Sequence, residues 1–465
     1  MFGRRAQNAA EPSETPRPVA QPAPSQPQLS AVDEPVEEKK PEPRPVSNIV
    51  DLAKGVIQPV LLERIDPARV AKLDRSELRE QITAVVGEIA LENKIKLNAN
   101  EQQVVVTLLL HDMLGLGPLE PLLGDEAVTD IMVNGPKQIY VERRGKLELT
   151  DVTFRDDAHV MNIATRIVSR IGRRVDESVP LVDARLEDGS RVNIIIPPLA
   201  IDGPSISIRK FAKQKITLDK MAEQQNLSPQ MATVLRIASR CRLNILISGG
   251  TGSGKTTLLN ALSRLIDVGE RVVTIEDAAE LQLQQPHVVR LETRPANLEG
   301  KGEITQRDLV KNCLRMRPDR IILGEIRGAE AIDMLQAMNT GHDGSMGTVH
   351  ANNPREALTR LENMVAMSGF KLPVDAVRQQ ISSAVNMIVQ VSRMRDGKRR
   401  IISITEVVGM EGDIITTQEL FAYRFTGEDA RGNLTGTFDC AGLRPHFTER
   451  ASYYGLERAL MEAAT

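Results

Sequence analysis

The sequence predicts an α/β protein in which a domain with a mostly parallel sheet follows a smaller α+β domain and a helical subdomain. Three features predict it. Ile245-Leu-Ile-Ser-Gly-Gly-Thr-Gly-Ser-Gly-Lys-Thr-Thr257 is an apolar strand running into Gly-x-x-x-x-Gly-Lys-Thr, and the amphipathic Leu258-Leu-Asn-Ala-Leu262 continues it as a helix. Further strands precede helical stretches, so that Asn244–Ser248, Arg271–Ile275, Arg320–Leu323 and Met346–Val349 are expected side by side in a parallel sheet. Upstream, residues 116–212 alternate at period two, with turn dipeptides between short apolar runs.

In chain order, residues 1–46 hold ten of the 26 prolines among Gln, Ser, Glu and Ala. Such a stretch buries too little apolar surface to offset chain entropy and is expected to be a disordered tail. Residues 47–115 turn helical: Leu78, Ile82, Val85 and Ile89 recur at helical spacing, and Asn100-Glu-Gln-Gln103 reads as a capping box for a helix ending near Gly115. Within 116–212, Ile131–Val133, Gln138–Glu142, Arg191–Ile196 and Ser205–Arg209 are expected strands. Asn134-Gly135, Arg144-Gly145 and Asp188-Gly189 separate them, and one helix falls around Ala158–Ile171. A polar linker over 213–230 leads into the C-terminal domain, 231–465, which is expected to end, beyond about 411, in a few short strands or loops and a short helix. No internal repeat is present.

Composition bounds the function. Fifty-nine basic against 62 acidic residues give a net charge of −3, so no global field draws the chain to nucleic acid or anionic lipid. Trp is absent and aromatics are 3%, which disfavours base-stacking platforms. The opening Met1-Phe-Gly-Arg-Arg-Ala lacks an apolar core and is not expected to be a signal peptide. No apolar run reaches membrane-spanning length; Val104–Leu110 reads as a core helix. Cys241, Cys313 and Cys440 are scattered, which fits a reducing compartment and excludes a paired Cys-x-x-Cys zinc site. A cytoplasmic protein is expected, meeting a membrane only through partners and nucleic acid not directly.

The loop spacing is a demand of phosphate chemistry. Gly249, Gly250, Gly252 and Gly254, with Thr251 and Ser253 among them, let backbone N–H groups close round a triphosphate where a Cβ would collide. Lys255 is expected to reach the β- and γ-phosphates and Thr256 to offer its hydroxyl to Mg²⁺. The helix beginning there, with Thr257 in its first turn, points its positive end at the anion. ATP and Mg²⁺ are the implied cofactors. Hydrolysis further needs a carboxylate to orient water and positive charge at the γ-phosphate. Thr274-Ile-Glu-Asp-Ala-Ala-Glu280 places Glu276, Asp277 and Glu280 just past an apolar strand, facing the nucleotide. Glu276 is the candidate for catalysis and for the metal, beside Thr256. Arg320-Ile-Ile-Leu-Gly-Glu-Ile-Arg327 has the form of a Walker-B element, with Glu325 polarising the attacking water. A glycine stands where an aspartate is usual, so metal contact is expected from Thr256, waters and the acidic turn. Thr340-Gly-His-Asp-Gly-Ser-Met-Gly-Thr-Val-His-Ala-Asn352 carries two of six histidines. His342 and His350 are expected to hydrogen-bond the γ-phosphate region and couple it to domain movement, with a satisfied core histidine and a pair of metal ligands as alternatives.

These four elements, in this order, resemble the Walker A, Asp box, Walker B and His box of the secretion-ATPase superfamily, which drives type II secretion, type IV pili and type IV secretion. The chain most resembles the Tad/Flp-pilus, CpaF-type branch. That likeness is carried by Gly115-Leu-Gly-Pro-Leu-Glu-Pro-Leu-Leu123, Val128-Thr-Asp-Ile-Met-Val-Asn-Gly135 and Asp183-Ala-Arg-Leu-Glu-Asp-Gly-Ser-Arg-Val-Asn193. Ser207-Ile-Arg-Lys-Phe211 and Thr405-Glu-Val-Val-Gly-Met-Glu-Gly-Asp413 extend it. The resemblance covers roughly residues 50–465 and implies a homohexameric ring of two-domain subunits with a RecA-like motor domain, working on inner-membrane platform proteins. It further implies that arginines of the N-terminal domain reach the nucleotide: Arg191 and Arg209 match those positions, and Arg185 is a third candidate. An arginine delivered by domain closure would neutralise charge developing on the phosphoryl oxygens. The tetracysteine zinc motif of type II secretion and pilus-extension relatives is missing. A type IV secretion ATPase or a retraction motor is the alternative within the class; a nucleic-acid translocase and a non-hydrolysing scaffold are rivals outside it.

Overall fold

Alternation of apolar and polar residues between Val128 and Arg209 builds an antiparallel sheet with one buried face. The computed structural model describes residues 48–64, 75–143, 145–211, 216–296, 300–429 and 432–465. The tail expected over 1–46, and the first residues of the 213–230 linker, lie outside them. The strands are β1 (Val128–Asn134), β2 (Gln138–Arg143), β3 (Lys146–Leu149), β4 (Leu181–Arg185), β5 (Arg191–Ile195) and β6 (Ser205–Arg209), ordered β3-β2-β1-β6-β5-β4. Ile131, Val133, Val192, Ile194, Ile206 and Ile208 face the helix Asp157–Ser169, which buries Val160, Ile163 and Ile167 against them.

Ahead of this sheet, helices Asn48–Arg64, Arg75–Glu92 and Ala99–Leu114 close on a core of Ile57, Leu61, Leu78, Ile82, Ile89, Val105 and Leu109. The capping box sits two residues earlier than expected. Asn98, with extended backbone at φ −75°, caps Glu101, whose carboxylate returns to the Asn98 N–H at 2.8 Å. Asn100 already lies within the helix. No single helix among the described residues is long and apolar enough to cross a membrane.

The second sheet has nine strands: β7 (Ile245–Gly249), β8 (Val272–Glu276), β9 (Val288–Glu292), β10 (Arg320–Ile326), β11 (Met346–Val349), β12 (Met387–Arg393), β13 (Arg399–Glu411), β14 (Ile414–Glu428) and β15 (Leu434–Cys440). Their order is β15-β14-β13-β12-β7-β11-β10-β8-β9, parallel from β12 to β9 and antiparallel beyond β12. The inner parallel strands β7, β8, β10 and β11 are mostly apolar because helices cover both faces, whereas the edge strand β9 exposes Arg290 and Glu292. Two expectations are corrected here. The short strands expected beyond 411 belong to a long meander: β13 and β14 run 13 and 15 residues, and polar residues interspersed along them, buried in β13 and largely open in β14, hide their length in a reading by apolar runs. The 213–230 linker is also no free connector in its described part. Leu218, Met221 and Leu227 are buried in the second domain's core, with Leu218–Glu223 helical.

Parallel pairing places the C-terminal ends of β7, β8, β10 and β11 on one edge of the sheet. At the other edge, Arg320 is 1% exposed and its guanidinium meets Glu270 Oε1 and Oε2 at 2.9 and 2.6 Å. A Cβ on Gly344, at φ +82°, would lie 2.7 Å from that guanidinium, so this glycine serves both turn and packing.

Candidate active site

Strand β7 is wholly buried and delivers the chain to Gly249, where a Cβ would stand 2.4 Å from the Val391 carbonyl oxygen and 2.6 Å from Ser253 Oγ. Gly252 and Gly254 take φ of +69° and +99°, and Gly254 opens the helix Lys255–Ser263. Successive N–H groups in this conformation form a concave anion nest at a helix N-terminus. The Lys255 ammonium folds back to donate to the carbonyls of Gly249 and Gly250, 2.9 Å each. Burial lowers its pKa; the Glu325 charge opposes this, and Arg327 and Arg209 add to it.

Glu276 ends β8 with its carboxylate buried. Oε2 accepts from the N–H groups of Glu280 and Leu281 at 2.7 and 2.9 Å, whereas Oε1 has no partner. Burial pushes its pKa up to about 7, against the two backbone N–H groups that favour its charged form. This residue also explains the glycine in the Walker-B element. A Cβ on Gly324 would lie 2.8 Å from Glu276 Cγ, so Glu276 fills the space an aspartate there would need. Gly324→Ala is therefore expected to destabilise the protein by about 1–3 kcal/mol through overpacking, read as a fall in Tm. An unchanged Tm would contradict this packing.

Glu325 follows at the end of β10, where its Oε2 accepts from Arg327 Nε and Nη2 at 2.8 and 2.5 Å. Arg327 Nη1 also reaches Asp277 Oδ2 at 3.2 Å. Arg327 closes the Walker-B string, and its place two residues past the carboxylate is its one signal in the sequence. His350 leaves β11 on the same edge as Lys255. His342 does not. It precedes β11 by four residues, at the edge where the strands begin, with its Nδ1 3.2 Å from the Ala337 carbonyl. The expectation that His342 contacts nucleotide is corrected for this chain: the length of β11 separates it from the phosphate loop.

Arg185, Arg191 and Arg209 are directly paired across β4, β5 and β6 and share the exposed face. Arg209 pairs with Asp130 at 3.2 Å and stands near enough to Lys255 and Glu280 for their charges to interact. Arg185 Nη1 reaches Glu292 Oε2, in the second domain, at 2.9 Å. Arg191 has Asp183 of its own sheet at 3.8 Å.

The residues fit ATP and Mg²⁺. The glycine cradle admits no Cβ at Gly249, Ser253 Oγ is buried without a partner, and Glu276 Oε1 is an unpaired hard oxygen donor. No cluster of three His, Cys, Asp or Glu among the described residues forms a metal cage.

A buried strand, a glycine nest at a helix start and carboxylates at neighbouring strand ends define an α/β P-loop nucleotide-binding protein. Residues 112–425 match the family model described as Type II/IV secretion system protein, and the chain belongs to that family. A Mycobacterium tuberculosis (strain H37Rv) protein named for conjugal transfer is 39% identical over 329 residues, 70% of this chain and 93% of its own length. The conjugal transfer protein TrbB of Rhizobium radiobacter is 34% identical over 65% of this chain and 90% of its length. The type IV secretion system protein VirB11 of Brucella suis is 33% identical over 62% and 88%. The crystal structure of the Brucella suis VirB11 ATPase with sulphate covers 62% of this chain and 94% of that one, at 31% identity and a TM-score of 0.34. The family assignment rests on the sequence match.

Proposed function

We propose that this chain is a Mg²⁺-dependent ATPase that converts ATP binding, hydrolysis and product release into movement of its first sheet against the nine-stranded domain. The observation that carries this reading is the convergence on one sheet edge of Lys255, the unpaired Glu276 oxygen and Glu325, with Arg209 supplied by the other sheet. In this reading Lys255 and the amides of 250–257 hold the phosphates, and Thr256 and Glu276 hold Mg²⁺. The metal supplies charge neutralisation to the phosphoryl oxygens. Glu325 orients the attacking water. Asp277, through Arg327, and Glu280, through its N–H to Glu276, support these carboxylates; His350 borders the γ-phosphate region. Arg185, Arg191 and Arg209 stand in one row across adjacent strands on the exposed face, with Arg209 near Lys255, which supports a nucleotide-facing role in which phosphate would replace their present carboxylate partners.

The assembly proposed is a homohexameric ring at the cytoplasmic face of the inner membrane, acting through platform proteins to assemble, and also to withdraw, a Tad/Flp-type pilus. The strings quoted for that branch support it. A second reading, a type IV secretion ATPase, is favoured by the identity to VirB11 and TrbB. A phosphate-release assay on the full chain tests the enzymatic core. Steady release that stops on Mg²⁺ chelation is expected; nucleotide binding without release would leave only a nucleotide-assembled scaffold.

A further inference from the structure

Two arginines flanking the turn between β12 and β13 lie against the phosphate loop, although no motif marks them. Arg399 Nε donates to the Gly252 carbonyl at 2.9 Å, and its Nη2 stands 3.4 Å from Glu142 Oε1. Arg393 Nη1 stands 3.2 Å from Oε2 of the same carboxylate, and Arg393 also donates to the Gly145 carbonyl. Glu142 belongs to β2 of the first sheet, and its side chain is 12% exposed between the two guanidiniums. Backbone meets backbone beside it: a Cβ on Gly145 would be 2.8 Å from the Gly397 carbonyl oxygen. A single guanidinium thus touches both the first sheet and the loop that holds phosphate.

The Gly252 carbonyl belongs to the loop whose Gly252 and Gly254 take positive φ, so a hydrogen bond to it restrains that conformation. We propose that Glu142 and Arg399 are a positioning pair for the nucleotide: the carboxylate fixes the guanidinium, and the guanidinium fixes the loop open for a triphosphate. This rests on the nucleotide-binding reading above. Two effects of Glu142 oppose each other. Its charge repels a triphosphate, and its hold on Arg399 preorganises the loop. With a guanidinium on each oxygen the charge is locally neutralised, so the hold dominates. The pair also ties the position of the first sheet to the state of the loop, as a closing motor domain requires.

The test compares Glu142→Gln, Glu142→Asp, Arg399→Ala and the Glu142→Gln/Arg399→Ala double variant by binding of a fluorescent ATP analogue with Mg²⁺ and by steady-state kinetics. Each single variant is expected to weaken nucleotide binding by about tenfold, the scale of a lost charge-assisted hydrogen bond. The loss should appear in KM rather than in kcat. The double variant should bind no more weakly than Arg399→Ala, since both act through one contact. Glu142→Asp keeps the charge and withdraws it by one methylene, so weaker binding there isolates position from charge. Tighter binding by Glu142→Gln, or effects that multiply in the double variant, would overturn the pair while leaving the ATPase reading intact. A wild-type chain that binds no nucleotide would remove both.

Discussion

Glu325→Gln is expected to lower steady phosphate release by about 10²–10⁴-fold, the usual contribution of a positioned acid or base, with nucleotide binding close to wild type. The substitution keeps the size and the acceptor oxygen that Arg327 engages and removes only the charge. Binding should survive because the phosphate contacts belong to the loop and Lys255. Burial lowers the pKa of the Lys255 ammonium and the Glu325 charge is near enough to oppose that fall, so the carboxylate borders the place where the terminal phosphate would sit. Phosphate release at saturating Mg-ATP, read beside analogue binding, checks the split. Undiminished release would remove Glu325 from the chemistry and leave Arg327–Glu325 as a structural ion pair.

A second large effect concerns Glu276 and pH. Its folded pKa, raised to about 7, exceeds the ordinary carboxylate value because burial penalises the charge. The folded state therefore holds the proton more tightly than the unfolded chain. Stability from this group is fully present below the unfolded pKa and is lost as pH rises from about 4.5 towards 7. Glu276→Gln removes that loss. Its amide oxygen can accept from the N–H groups of Glu280 and Leu281, and no charge remains to be buried. Without nucleotide, the variant should gain up to about 3 kcal/mol over wild type at pH 8 and little at pH 4, seen as diverging Tm values. Parallel Tm curves would contradict the assignment. The same variant should lose Mg²⁺-dependent turnover, because a stable interior is obtained by giving up a strained functional group.

Legibility followed locality. The phosphate loop is readable because each glycine answers a steric demand within eight residues, and β7, β8, β10 and β11 because burial on both faces makes them mostly apolar. β9 and β12, also parallel, are not among the expected strands, β9 being an edge strand with Arg290 and Glu292 exposed. The meander of β13 and β14 is not readable in this way, since polar residues such as Arg400, Ser403, Thr405 and Glu406 of β13, buried by long-range contacts, break up its apolar runs. Asn98 and Asn100 are equally good caps by residue type, and only backbone conformation selects the earlier one. His342 and His350 looked equivalent in one glycine-rich string, yet a strand separates them. Gly324 could be noted as a departure, but the occupant of its space, Glu276, comes from another strand. Glu142, Arg393 and Arg399 carry no local signature at all: their contacts span 251 and 257 residues of sequence.

The most direct measurement is a structure of the full chain with Mg²⁺ and a non-hydrolysable ATP analogue. The triphosphate should lie on the N–H groups of 250–257, with the Lys255 ammonium lifted from the Gly249 and Gly250 carbonyls onto phosphate and Glu276 Oε1 turned to the metal. A triphosphate bound elsewhere, or a Lys255 still folded on its own loop with nucleotide present, would contradict the account.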